Sequence, residues 1–359
     1  MLTPALFLAL SSLVAAPRYA RNFSLDSAQG FPRLRVFSGK DTATYALCPP
    51  KKCRDLPQGI TVVPVPIHRI IALADIHLGF LETLDRRSLL VGVDRSEFVC
   101  DSVLRMLGKQ GRWQAVGSGS DLNWERVTVL HPDAILISGL PEGDARVKSK
   151  AKSLGIPLMI SAEWLEQHPL GRAEWIKVYG ALCGKVAMAD SLFSKTVHFY
   201  DSLRALRLRS GRGTARLQTS AFGGAGWRGA WHIAGGASFI AQLLRDAGIG
   251  YAWEGDPHTG SLTLGLEAVL ERARDADYWL NPGSARSLSE LENMEPRSTA
   301  FKAFRTGNVF QSDVRTTPEG GNDYWETGPV RPDLILEDIM HINSGDLNDK
   351  PGHYFRRLP

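Results

Sequence analysis

The sequence predicts an α/β protein built as two Rossmann-like α/β lobes linked by a single long backbone helix. Three observations lead there. Short apolar runs alternate with helical periodicity from Ile70 onward, the same texture returns after residue 211, and residues 168–210 between them read as continuous helix, proline-free from Leu170.

Taken in order, "MLTPALFLALSSLVAAPRYARNF" has an apolar core from Ala5 to Ala15 and a small-residue site at Val14-Ala15-Ala16, the pattern of an export signal over 1–16, although its start lacks Lys and Arg. An extension over 17–66 follows, in which "LRVFSGKDTATYALCPP" alternates as a hairpin turning at "SGKD". The first lobe, 67–167, runs strand "RIIALA", helix "DIHLGFLETLD", strand "LLVGVD", then "NWERVTVLHPDAILISG", a helix entering the strand "AILIS", and finally "SLGIPLMISAEWL". Strands with little polar alternation, joined by helices, call for a parallel sheet covered on both faces.

In the linking stretch, Trp175, Val178, Leu182, Val186, Ala189, Phe193, Val197, Tyr200 and Leu203 recur at three- and four-residue steps, one apolar helix face. About 38 helical residues would run roughly 57 Å. Two ordinary helices broken near Gly180 or Gly184 are the alternative. The second lobe, 211–359, offers strands in "RLQTSAFGG", "DYWLNPG" and "NVFQSD", a helix "GGASFIAQLLRDAG" stopping at Gly248, and a helix "RPDLILEDIMHI" with Pro332 in its first turn.

Composition narrows the function. At 359 residues, 43% hydrophobic and 22% charged, the chain has room for two cores. A formal charge of +4 from 42 basic and 38 acidic residues, with no long basic run, is a solvated surface and no nucleic-acid footprint. Past the N-terminus, no stretch is long and apolar enough to span a bilayer. Four cysteines exclude a disulfide scaffold; Cys48 and Cys53 flank "PPKK" and are the candidate disulfide, with free thiols as the alternative.

Four stretches in order resemble a known family: "LNWERVTVLHPDAILIS"; "HPLGRAEWIKVYGALCGK"; "WHIAGGASFIAQLLRDAG" with "TGSLTLGLEAVLERARDADYWLN"; and "GGNDYWETGPVRPDLILEDIMH". From about Ile70 to His341 the chain resembles the periplasmic substrate-binding proteins of bacterial ABC importers for iron-siderophore, haem and cobalamin. The resemblance implies a helical-backbone binding protein whose cleft captures a chelate. It implies delivery to ABC permease subunits whose ATPase is a separate chain. It also places Glu125 and Glu267, one per lobe near a helix start, as carboxylates that dock into permease arginines.

Candidate cleft residues follow the expected strands: Asp75 and His77 after "RIIALA", Glu163 and Trp164 after "PLMIS", and Trp227, Arg228, Trp231 and His232 in the glycine-rich stretch after "RLQTS". Arg315, Asn322, Tyr324 and Trp325 lie around "GGNDYW". A planar chelate needs aromatic faces and a few polar or cationic groups, with Arg228 and Arg315 suited to an anionic one. His77 and His232 are the only histidines at strand ends, fewer than a bare-metal site gathers, so the expected ligand is an iron chelate, haem or cobalamin, with no intrinsic cofactor and with a metal-ion binding protein as the alternative. No "GxSxG", "GxxxxGK[ST]" or "HExxH" is present. A chelatase or hydrolase using His77 and Glu163 is the enzymatic alternative, and Glu166 reads as a solvated first-turn residue. The expectation is an exported monomer that is not an enzyme.

Overall fold

In the computed structural model, residues 16–28, 31–49, 56–139, 145–209, 219–227 and 229–359 are described. The export signal over 1–16 therefore lies outside them except for Ala16, as do Cys53 and Arg228. The described residues form two compact units. The first comprises residues up to Glu166, Leu170–Lys195 and Thr317–Val330; the second comprises Gln167–Pro169, Thr196–Thr316 and Arg331–Pro359.

Unit 1 begins with β1 (Phe23–Ala28), β2 (Phe31–Ser38), β3 (Asp41–Leu47) and β4 (Ile60–Val63), which pair in that order. β1–β2 and β2–β3 are antiparallel, with Ser38 opposite Asp41, and β3–β4 is parallel. The expected hairpin is thus present, and Leu34, Val36, Tyr45 and Leu47 are buried along its alternating positions. Five short strands follow: β5 (Ile70–Ala72), β6 (Leu90–Val93), β7 (Gln114–Ala115), β8 (Ala134–Ser138) and β9 (Leu158–Ser161). They form one parallel sheet in the order β7-β6-β5-β8-β9. Helices α1 (Asp75–Thr83), α2 (Ser102–Lys109), α3 (Trp124–Val129) and α4 (Ala145–Ser153) connect them. Ile71, Val91, Val116, Val127, Ile135 and Ile137 make the core, which is why these strands read as unbroken apolar runs. From β5 the chain runs outward through β6 to β7 and then crosses back to β8 and β9 on the other side of β5, so the order reverses beside β5, and open α/β sheets bind ligands at such a point.

The linking stretch is helical but not unbroken. It contains α5 (Pro169–Glu174), α6 (Ile176–Leu182) and α7 (Val186–Arg207). Gly184 takes φ +66°, and the Lys185 N–H donates to the Gly180 carbonyl at 2.7 Å. This six-residue closure with a left-handed glycine terminates a helix, so the break falls at Gly184, as the alternative reading allowed. The division between the units lies within α7, between Lys195 and Thr196.

Unit 2 holds β10 (Ser220–Gly223), β11 (Gly226–Trp227), β12 (Ala230–Ala234), β13 (Gly250–Tyr251), β14 (Ser261–Leu264), β15 (Tyr278–Leu280), β16 (Val309–Gln311) and β17 (Arg356–Arg357). One sheet has the order β13-β10-β15-β16-β17, parallel except for β17; the other, β11-β12-β14, is antiparallel. The helices are α8 (Phe239–Ala247), α9 (Leu266–Ala273), α10 (Leu288–Met294), α11 (Lys302–Arg305), α12 (Asp323–Glu326) and α13 (Pro332–Ser344), of which α12 belongs to unit 1. α8 starts at Ser238, whose hydroxyl accepts from the Ala241 N–H, and stops at left-handed Gly248, as its sequence predicts. Pro332 opens α13. No helix among the described residues is long and apolar enough to cross a membrane. The fold class is therefore the expected one, two α/β units.

Candidate ligand-binding site

Asp75 opens α1 immediately after β5, beside the carboxyl end of the sheet. Burial, with Asp94 as a second negative group, pushes its carboxyl up to about 6, partly offset by Arg95. One turn on, His77 is fully buried, and its Nδ1 lies 2.6 Å from the Tyr179 hydroxyl. Its Nε2 has no hydrogen-bond partner, and burial pulls its pKa down to about 3. His77 is thus a neutral core histidine, out of reach of a ligand in this structure. Helical periodicity turns it from the strand end into the core beside Phe80, which stacks on Tyr179 at 4.3 Å.

Glu163 follows β9 but is also buried. It accepts from the Ser161 hydroxyl at 2.7 Å and lies 3.7 Å from the buried Arg172 guanidinium. A carboxylate so enclosed is stable only with partners. Trp164, its neighbour, is 37% exposed.

Residues 317–330, expected in the second lobe, pack in unit 1. The Glu326 carboxylate accepts from the Cys100 and Asp101 N–H groups at 2.8 and 3.0 Å, and the Thr317 hydroxyl donates to the Glu97 carbonyl. Gly79 on α1 meets the Glu326 backbone so closely that no Cβ fits there. Asn322 caps α12, its side chain accepting from the Tyr324 N–H. Tyr324 is buried, whereas Trp325 is 47% exposed and meets its ring edge-on at 4.8 Å. Unit 1 therefore brings Asp75, His77, Glu163, Trp164, Asn322, Tyr324 and Trp325 into one body, with the two tryptophans as its exposed aromatics.

In unit 2 the glycine-rich stretch is strand rather than loop. Trp231 lies on β12, is 1% exposed, and packs with Trp279 at 5.5 Å and Phe301 at 5.8 Å. It is a core residue, not a ligand platform, because β12's alternation sends it inward and sends its neighbour His232 outward. The Trp227 side chain, like Arg228, lies outside the described residues. Arg315 is exposed, with its guanidinium 5.1 Å from the Tyr354 ring centroid.

Glu125 is exposed in the first turn of α3, which Asn123 caps. Glu267 is exposed in the first turn of α9, paired with Arg297 at 2.6 Å. Both sit near helix starts, where a carboxylate is favoured. Cys48 is disulfide-bonded, and Cys100 and Cys183 are free.

Glu166 is not a solvated residue. It is buried and accepts from the Arg21 and Asn22 N–H groups and from Trp175 Nε1. Glu174 likewise accepts from the N–H groups of Arg18, Tyr19 and Ala20. Sequence reasoning missed this clamp because its amide donors lie about 150 residues away and carry no side-chain signature.

The model of a family described as periplasmic binding protein matches residues 96–316, more than half of the chain. The chain belongs to the periplasmic binding protein family. This family's fold is that of a solute-binding protein. An uncharacterized lipoprotein of Methanocaldococcus jannaschii is 27% identical over 292 residues, 78% of this chain and 66% of that relative, so the chain spans just under two thirds of its length. Among solved structures, a possible iron-binding, periplasmic solute-binding protein from Staphylococcus epidermidis is similar to this binding protein at TM-score 0.57 and 19% identity, covering 77% of this chain and 99% of that one. A periplasmic heme binding protein of Vibrio cholerae gives 0.55 and 18%, covering 75% and 98%. The siderophore binding protein BauB, solved with two acinetobactin molecules and ferric iron, gives 0.55 and 17%, covering 86% and 98%. At these identities the solved structures establish the fold.

Proposed function

We propose that this periplasmic binding protein is the substrate-binding component of an ABC importer. In this reading it captures an iron-siderophore, haem or cobalamin-type chelate outside the cytoplasmic membrane and delivers it, as a monomer, to permease subunits driven by a separate ATPase. The observation that carries the reading is the family match over 96–316. The exposed Trp164 and Trp325 of unit 1 supply aromatic groups of the kind that a planar chelate needs, and unit 2 separately carries an exposed cation, Arg315. Glu125 and Glu267, exposed at two helix starts, are the proposed permease contacts.

The enzymatic alternative rested on His77 and Glu163, and both are buried against side chains of their own unit. A general base must reach the proton it abstracts. The metal-ion alternative has no group of three or more His, Cys, Asp or Glu among the described residues with which to hold an ion.

The test is native mass spectrometry of the protein, with tryptophan quenching titrations against ferric siderophores, haemin and cobalamin. One saturable complex of one-to-one stoichiometry is expected with one of these classes. Failure of all three to bind, together with turnover of a small molecule, overturns the reading.

A further inference from the structure

The N-terminal sheet lies outside the residues that match the family, yet one end of it borders a cavity. We propose that the β2–β3 turn of this extension is part of the ligand-binding machinery, forming with the carboxyl ends of β8 and β9 a pocket for an anionic aromatic group. The proposal rests on the capture reading above and names the chemical class of ligand.

The cavity is about 550 Å³ and is lined by Ser38, Lys40, Asp41 and Thr42 of the turn and by Lys148 and Trp164, among others. That volume suits a small ligand or one end of a larger one. Gly139, which follows β8, and Trp164, which follows β9, place the pocket at the carboxyl ends of parallel strands, where α/β sheets take their ligands.

The turn is held firmly against this edge. The Ile160 N–H of edge strand β9 donates to the hydroxyl of the buried Tyr45 on β3 at 3.0 Å. A Cβ on Gly139 would stand 2.7 Å from the Ile160 side chain and 3.4 Å from the Ser38 hydroxyl, so the two segments touch without spare room. Glu166 and Glu174 fix the chain that leads into β1.

The chemistry of the lining decides the class. Among the described residues Lys40 and Lys148, both exposed, make no ion pair, and the Trp164 indole has no aromatic partner. Among the described lining residues two ammonium groups, those of Lys40 and Lys148, stand with one carboxylate, that of Asp41, a balance that favours negative charge. The indole offers a face for a ring. A catecholate or an aromatic carboxylate meets both requirements, whereas a neutral aliphatic hydroxamate meets neither.

The experiment is isothermal titration of the full chain with three probes: an anionic ferric tris-catecholate, haemin with its two carboxylates, and a neutral ferric tris-hydroxamate. The anionic probes should bind at least about tenfold more tightly than the neutral one, and their affinity should fall as salt rises. Lys40→Ala and Lys148→Ala should each weaken the anionic probes roughly tenfold, the scale of a lost charged hydrogen bond, and leave the neutral probe unchanged. Tyr45→Phe, which keeps both lysines but releases the Ile160 N–H, should weaken the anionic probes several-fold. Trp164→Phe should retain more affinity than Trp164→Ala. Unchanged anionic affinity in both lysine variants, or equal affinity for the neutral probe, overturns the pocket and leaves chelate capture standing. Failure of the wild-type protein to bind any probe removes siderophore and haem capture and this proposal together.

Discussion

Glu174 offers the sharpest test of how the extension is held. Its side chain is fully buried, and its carboxylate accepts from the N–H groups of Arg18, Tyr19 and Ala20 at 2.9, 2.7 and 3.0 Å and from Lys177 Nζ at 2.9 Å. Glu174→Ala strands these donors. Hydrogen bonds to a charged group are worth about 1.5–3 kcal/mol each, but the Arg18 amide and the Lys177 ammonium are only partly buried and regain water. The expected loss is therefore about 3–5 kcal/mol, the range for breaking a buried charge cluster. Glu174→Gln keeps the volume and one acceptor oxygen. Placed toward Tyr19 and Ala20, its amide faces the Arg18 N–H and Lys177 with donors, so about half the loss should remain. Urea unfolding gives the stability, and hydrogen exchange of the amides of Arg18, Tyr19 and Ala20 locates the damage. A smaller urea dependence should accompany the loss if residues 18–22 have already come free. Glu174→Ala within about 1 kcal/mol of wild type, with those amides still protected, would refute the clamp.

Four further outcomes are expected. Burial is the larger cause pushing Glu82 up to about 7 and Glu326 up to about 8, while burial pulls His77 down to about 3. Between pH 6.5 and 8 the folded chain then holds carboxyl protons that the unfolded chain has lost, whereas His77 is neutral when folded and, with an ordinary value of 6.5, sheds its last protons from the unfolded chain over the lower part of the window, a smaller contribution of opposite sign. Stability should fall by about 1–2 kcal/mol across that window, and Glu326→Gln should reduce the slope; a flat or rising profile by urea titration contradicts the assignment. Trp231→Ala should cost about 3–5 kcal/mol in denaturant unfolding because it empties the Phe222–Trp279–Phe301 core. Trp325→Ala, at an exposed site, should stay within about 1 kcal/mol yet weaken chelate binding. Charge reversal at Glu125 and Glu267 should abolish uptake in cells with ligand affinity and stability nearly unchanged, since the exposed Glu267–Arg297 pair is worth under about 1 kcal/mol.

Periodicity and punctuation made the elements legible. The apolar runs around Ile70, Leu90, Ala134 and Leu158 became one parallel sheet, the "SGKD" turn closed its hairpin, and Gly248 and Pro332 marked helix ends as their backbone chemistry requires. The ordered motifs, read together, sufficed for the family. What a residue faces was less legible, because strand ends set position along the chain but not direction. His77 and Glu163 turned inward, Trp231 became core, and Trp164 and Trp325 stayed exposed.

From the sequence by itself came the α/β class, most of the elements and the family, because these depend on local backbone preference and on the spacing of apolar side chains. Tertiary structure alone decided that Gly184 breaks the linking helix and that residues 317–330 join the first unit. It alone also decided that Glu166 and Glu174 bind amides of residues 18–22 and that the β2–β3 turn reaches the end of β9. Each depends on groups far apart in the chain meeting at hydrogen-bond distance, and such meetings are selected by packing of the whole unit rather than by any local pattern.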